Sequence, residues 1–139
     1  MLQVITPLRG VDAYGNGAFG APRNGSHPTH RGVDYAAAAG SQVLSPVKGR
    51  VTKHGYPYAD ALEFRYLEIT DGALNRHRFF YTNPMVEVGE LVHEGDIIAS
   101  VQNISGRYKS SKKNPMVNHV HYEIIDERGI YLNPDEFGL

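Results

Sequence analysis

The chain has 139 residues, with 14 lysines and arginines against 15 aspartates and glutamates, a formal charge of −1. That length predicts a single domain able to bury a core without staples, and the absence of cysteine excludes disulfides, thiolate metal sites and cysteine catalysis. The balanced charge argues against a nucleic-acid partner, which needs a basic field, and no apolar run approaches the ~20 residues of a membrane span.

Residues 10–32 hold eight glycines or prolines and no hydrophobic period, which predicts a long surface loop. From Val33 the pattern turns to short strands split by turns. Gln42–Ser45 precedes Pro46, and Gly49–His54 alternates before Gly55. After a turn at 56–61, Leu62–Thr70 reads as a long strand ending at Asp71-Gly72, a hairpin signal. Arg78–Thr82 is the returning strand, stopped by Asn83-Pro84. Val86–Val92 and Asp96–Val101 follow as two strand-like pieces around Glu94-Gly95. Residues 103–118 are polar and carry Lys109, Lys112 and Lys113. His119–Ile125 alternates again, and Gly129–Leu132 closes the series. The Ala36–Ala39 run is the best local helix former, yet Gly40 ends it after four residues, too short for a stable helix. Nowhere do apolar residues recur at helical spacing over 11 positions, so the fold class expected is mainly β, with a central antiparallel sheet and a second, smaller one.

With seven histidines and no cysteine, the chemistry is sought in imidazoles and carboxylates. His30-Arg-Gly-Val-Asp34 places one of each four residues apart at the exit of the glycine-rich loop. His119-Val-His121 lies in a strand, where residues i and i+2 share a face, so both imidazoles point the same way and Val120 and Tyr122 point opposite. Three nitrogen or oxygen ligands with one open position make a catalytic zinc site, and a fourth such residue is left to carry protons. Spacing by itself does not separate this from chance pairing.

A set of longer motifs runs through the chain in order. They are Gly17-Ala-Phe-Gly-Ala-Pro-Arg23, His30-Arg-Gly-Val-Asp-Tyr-Ala36, Gly40–Val51, Phe79-Phe-Tyr81, Val86–Ile98, His119-Val-His-Tyr-Glu123 and Asn133–Leu139. In these the chain resembles the lysostaphin and LytM family of zinc metallopeptidases, which cleave peptide cross-links in bacterial peptidoglycan. The resemblance spans 17–139, leaving 1–16 as an N-terminal extension of one domain, 1–139. It implies one zinc ion held by His30, Asp34 and His121, with His119 as proton carrier or oxyanion partner. It also implies a peptide-binding groove on the sheet, walled by loops 10–32, 56–61 and 103–118.

Two departures bear on activity. Active members carry a second catalytic histidine in a Tyr-x-His-Leu element; here the element reads Tyr81-Thr-Asn83-Pro84. An asparagine amide donates a hydrogen bond to an oxyanion but cannot shuttle a proton. The family includes a secreted vertebrate chemotaxin that keeps the zinc ligands and lacks this histidine. The expectations are therefore a zinc endopeptidase with His119 and Asn83 as its catalytic pair, or a zinc-retaining pseudopeptidase that binds without cutting. The second departure is the 103–118 segment, which carries a lysine cluster in place of a Thr-Gly-rich loop.

For the remaining candidates plainer roles are expected. His77 reads as an exposed strand-end histidine, His54 and His93 as surface, and His27 as a solvated loop residue. Tyr14, Tyr56 and Tyr58 read as local covers, and the lysines as a solvated loop. Glu123 shares the face of His121, where it either hydrogen-bonds that histidine or meets solvent.

The N-terminus shows no basic, apolar and small-residue succession of an export signal. Action at the bacterial cell wall then predicts delivery from outside, as a lysin bound to phage tail or baseplate proteins. The rival is a trimmed domain of a larger secreted hydrolase.

Overall fold

The computed structural model describes residues 32–104, 118–134 and 137. Among them are ten strands and no helix: β1 (Val33–Ala36), β2 (Gln42–Leu44), β3 (Gly49–Gly55), β4 (Tyr66–Asp71), β5 (Arg76–Phe80), β6 (Thr82–Pro84), β7 (Leu91–Val92), β8 (Ile97–Val101), β9 (His119–Ile125) and β10 (Tyr131–Leu132). Seven form one sheet in the order β1-β9-β5-β4-β3-β7, with β10 beside β9, and three form a second in the order β2-β8-β6. Every pairing is antiparallel. The mainly-β, two-sheet expectation holds.

Strand alternation divides the large sheet into two unlike faces. On one, Val51, Leu67, Ile69, Phe79, Val120, Tyr122 and Ile124 pack with Val43, Ile98 and Val101 of the small sheet as a single core. Phe79 and Tyr122, opposite each other in the β5–β9 ladder, stack with ring centroids 4.8 Å apart. Truncating a buried phenylalanine of this kind to alanine costs about 3–5 kcal/mol. On the other face, Glu68, Arg78, Phe80, His121 and Glu123 follow the opposite parity. The functional side chains are on this second face.

Where the strands differ from expectation, identifiable backbone bonds are the cause. Leu62 and Glu63 lie in a turn, and β4 begins only at Tyr66, because the Arg65 carbonyl accepts from the amides of Tyr81 and Thr82 (2.8 and 3.1 Å). Asn83-Pro84 does not stop the chain. Tyr81 adopts a φ of 70°, rare for a bulky residue, and this turns the chain out of the large sheet into β6 of the small one. Pro84 is tolerated there because β6 is an edge strand. Of Val86–Val92 only Leu91 and Val92 pair as strand.

His77 is a correction. Three residues from Phe80 along β5, it falls on the core face and is fully buried. Its Nδ1 is 2.7 Å from the Tyr122 hydroxyl and its Nε2 is 2.8 Å from Asp71 Oδ2. The flanking arginines suggested exposure; strand parity reverses that. His54 is a second correction: it is half-buried, with Nε2 2.7 Å from the Val86 carbonyl oxygen. His93 is exposed, as expected.

Candidate functional site

Two neighbouring strands build the site. In the β1–β9 ladder Asp34 pairs with His121 and Ala36 with His119, so β1 carries a carboxylate to the strand that bears both imidazoles. Asp34 Oδ1 lies 2.9 Å from His121 Nδ1, and Asp34 Oδ2 lies 3.8 Å from His119 Nε2. Each oxygen of one buried carboxylate thus faces a different histidine. Val120 and Tyr122, between and beyond them, are in the core, as strand alternation predicts.

The backbone can come this close because residue 32 is glycine. A Cβ there would sit 2.4 Å from the Tyr122 carbonyl oxygen and 2.9 Å from His121 Cε1. Aromatic rings complete the walls. Phe80 meets His121 edge-on at 5.3 Å, and Tyr81 meets His119 edge-on at 5.3 Å. Tyr81 is held in turn by Tyr58, whose hydroxyl is 3.1 Å from its own. Tyr58 also packs on Phe64, so this tyrosine of the 56–61 loop is a packed cover and not an exposed arm. Tyr56 is exposed.

The second nitrogen of His121 is also occupied: Nε2 is 2.9 Å from Glu123 Oε1. Of the two roles open to Glu123, the structure shows the hydrogen bond; the residue is buried. Burial disfavours a charged imidazole at His121, but the hydrogen bonds and charges of Asp34 and Glu123 outweigh it and raise its pKa to about 9.

Asn118 ties the strand entrance together. Its amide donates to the carbonyls of Ala37 (2.8 Å) and Gln102 (3.0 Å), and its Oδ1 accepts from the Ile104 amide (2.7 Å). Gln102 does the same for Asn83. Its Oε1 accepts from the Arg65 amide, so its Nε2 is the donor toward Glu63 O (2.6 Å) and Asn83 Oδ1 (3.0 Å). The orientation of the Asn83 amide follows from that chain of bonds, and the NH₂ remains as the group Asn83 offers a ligand. Asn83 is exposed on β6.

The site suits zinc in its donor chemistry. A carboxylate oxygen and an imidazole Nδ1, 2.9 Å apart, are donors of the type that zinc accepts. Asp34 and His121 would hold the ion. The third expected ligand, His30, is outside the described residues, as are His27, Tyr14 and Lys109, Lys112 and Lys113. Among the described residues no group of three histidine, aspartate or glutamate side chains is placed to hold a metal. Of the residues expected at the site, the structure brings Asp34, His119 and His121 together. Sequence reasoning missed Arg78, Glu68 and Gln102, although the alternation of β5 and β4 puts the first two on the face of His121.

The chain is thus a two-sheet β domain with an aspartate and two histidines converging on one sheet face. The chain belongs to peptidase family M23, whose model matches residues 28–134. Among solved structures it is similar to the catalytic domain of the antimicrobial peptidase lysostaphin from Staphylococcus simulans, with 20% identity, a TM-score of 0.65, and 91% of this chain and 90% of that one covered. It is also similar to a catalytic-domain mutant of the prophage-encoded M23 protein EnpA from Enterococcus faecalis, with 23% identity, a TM-score of 0.62, and 96% and 98% covered. A curated relative, Myeloid protein 1 of Gallus gallus, is 48% identical over 46 residues, or 32% of this chain; the match spans 14% of that protein.

Proposed function

We propose that the protein is a zinc-dependent endopeptidase acting on the peptides of bacterial peptidoglycan. The observation that carries the reading is the single carboxylate of Asp34 facing both His121 and His119 on the polar sheet face. Asp34 and His121, with His30 as the expected third donor, hold the ion. Zinc, when bound, polarises the scissile carbonyl and makes water nucleophilic near neutral pH. His119, buried and steadied by the edge of Tyr81, is the proton carrier. Asn83 offers its NH₂ to the oxyanion of the tetrahedral intermediate, where one donor is worth ~10²–10³ in kcat.

The experiment is digestion of purified sacculi by zinc-loaded wild type and His119→Ala. Released peptide fragments from wild type alone support the enzyme; equal background release from both refutes it. A specific observation favours a second reading: Asn83 cannot move a proton. In that reading the chain holds zinc and binds wall peptide without cutting it, and it co-sediments with sacculi while releasing nothing.

Delivery belongs to the same proposal. A lysin carried on a phage tail or baseplate gains its local concentration at the wall from the particle, and the prophage-encoded neighbour EnpA supports that setting. Tail genes flanking the source locus would support it, and an in-frame upstream export signal would refute it.

A further inference from the structure

The polar face of the sheet carries a row of charges that the peptidase reading leaves unused. It starts at His121, whose Nε2 is 2.9 Å from Glu123 Oε1. The other Glu123 oxygen is 3.6 Å from Arg78 Nη1. Arg78 Nε donates to Glu68 Oε2 at 2.8 Å, and Glu68 Oε1 accepts from the Thr52 hydroxyl at 2.8 Å. Register makes the row: Arg78 pairs with Glu123 across β5–β9 and with Glu68 across β4–β5. Thr52, next to core-facing Val51, reaches the same face by strand alternation, beside a bulge that also pairs Lys53 with Glu68.

Stability is a poor reason for such a row. The side chains of Glu68 and Glu123 are only 9% exposed and that of Arg78 20%. Charges this sheltered lose much of their hydration, and apolar residues of similar volume do as well or better. What the row does is geometric. An imidazole can offer a cation either nitrogen, provided the other keeps its hydrogen. With Glu123 accepting the Nε2–H, Nδ1, the atom facing Asp34, is the one that gives up its hydrogen when a cation binds. A carboxylate bonded through one oxygen can still swing. Arg78 attracts the second oxygen as an ion pair at 3.6 Å, and a hydrogen bond to Glu68 in turn holds Arg78.

We propose that Glu123, Arg78 and Glu68 are positioning residues for the metal centre, with Arg78 setting, through Glu123, the tautomer and angle of His121. The inference rests on the zinc reading above. Partners of metal-bound histidines are commonly worth 10–100-fold in metal affinity, and the Arg78–Glu68 pair extends that influence to two further strands.

The test uses the full chain and zinc. Zinc dissociation constants are measured by competition with a chromophoric chelator, and visible spectra are recorded on the cobalt-substituted protein. Circular dichroism checks the fold of each variant. Glu123→Ala is expected to weaken zinc binding by about 10–100-fold. Glu123→Gln, which keeps an acceptor, recovers part of that loss. Arg78→Met, whose side chain touches no ligand, weakens binding several-fold and shifts the cobalt bands. Ring-nitrogen NMR of the zinc-loaded wild type shows the His121 hydrogen on Nε2. If Glu123→Ala fails to fold, Arg78→Met decides by the same two readouts. Wild-type affinity and an unchanged cobalt spectrum in the folded variants overturn this inference alone. A wild type that binds no zinc overturns it together with the proposed function.

Discussion

Asp34 and His121 sit directly opposite one another in the β1–β9 ladder, and their side chains close to 2.9 Å. Residues 87 positions apart in the chain are thereby fixed by backbone hydrogen bonds before any ion arrives. This pair is pre-organised, because its geometry is inherited from the pairing of two strands.

Zinc is therefore expected to stabilise the fold as well as serve it. A metal at 100 times its dissociation constant contributes about 2.7 kcal/mol. The Tm of wild type should fall on chelation and recover on adding zinc. Asp34→Ala and His121→Ala should show neither change. A chelated wild type that melts where the zinc-loaded one does argues against the site.

Gly32 sets the spacing between β1 and the His121 ring. Gly32→Ala places a methyl group against the Tyr122 carbonyl and the imidazole, and overpacking of this sort costs about 1–3 kcal/mol. Urea unfolding should show that loss. Chelator competition should show weaker zinc binding, because the ring cannot move away without leaving Asp34.

The buried His77 predicts a pH dependence of opposite origin. Burial lowers its pKa below the usual 6.5, and Asp71 offsets that only in part. The unfolded chain therefore takes up a proton as pH falls through 6.5 while the folded chain does not. Stability from this group is complete above 6.5 and declines toward the lowered folded value, at up to about 1.4 kcal/mol per pH unit. Asp71 adds a second decline at lower pH. Burial raises its pKa, but hydrogen bonds with His77, Asn75 and Ala73 together hold it below 3.8, so its contribution is lost as pH falls from there. The difference in urea midpoint between wild type and His77→Leu, measured from pH 7 to pH 5, isolates the histidine. A difference that does not change with pH argues against a neutral buried His77.

Asn83 is the position where activity can be raised. Asn83→His introduces a proton-carrying group, and peptide release from sacculi should increase by about 10²-fold, the low end of what one such group contributes. Zinc content should be unchanged, since Asn83 is on the other sheet. No gain, with wild-type zinc content and fold, argues that the chain binds without cutting.

Much of the site was legible because strand alternation is local. His119 and His121 share a face, and Val120 and Tyr122 fill the core, as the two-residue period requires. The same rule was available for β5 and would have placed Arg78 beside Glu123, but only once the register between the strands was known. His77 shows the limit. Its flanking arginines suggested solvent, yet its burial depends on partners 6 and 45 residues away.

The amino-acid sequence by itself determined the mainly-β class, the strand bearing both imidazoles, the family and the asparagine at position 83, because those depend on residue identity and local period. Tertiary structure decided which carboxylate meets which imidazole, that Tyr81 turns the chain into the second sheet, that Gln102 orients Asn83, and that Glu68, Arg78 and Glu123 line up behind His121. The physical reason is common to all four. Each depends on how strands distant in the chain pair, and a local pattern of polar and apolar residues does not specify the partner or the register of a strand.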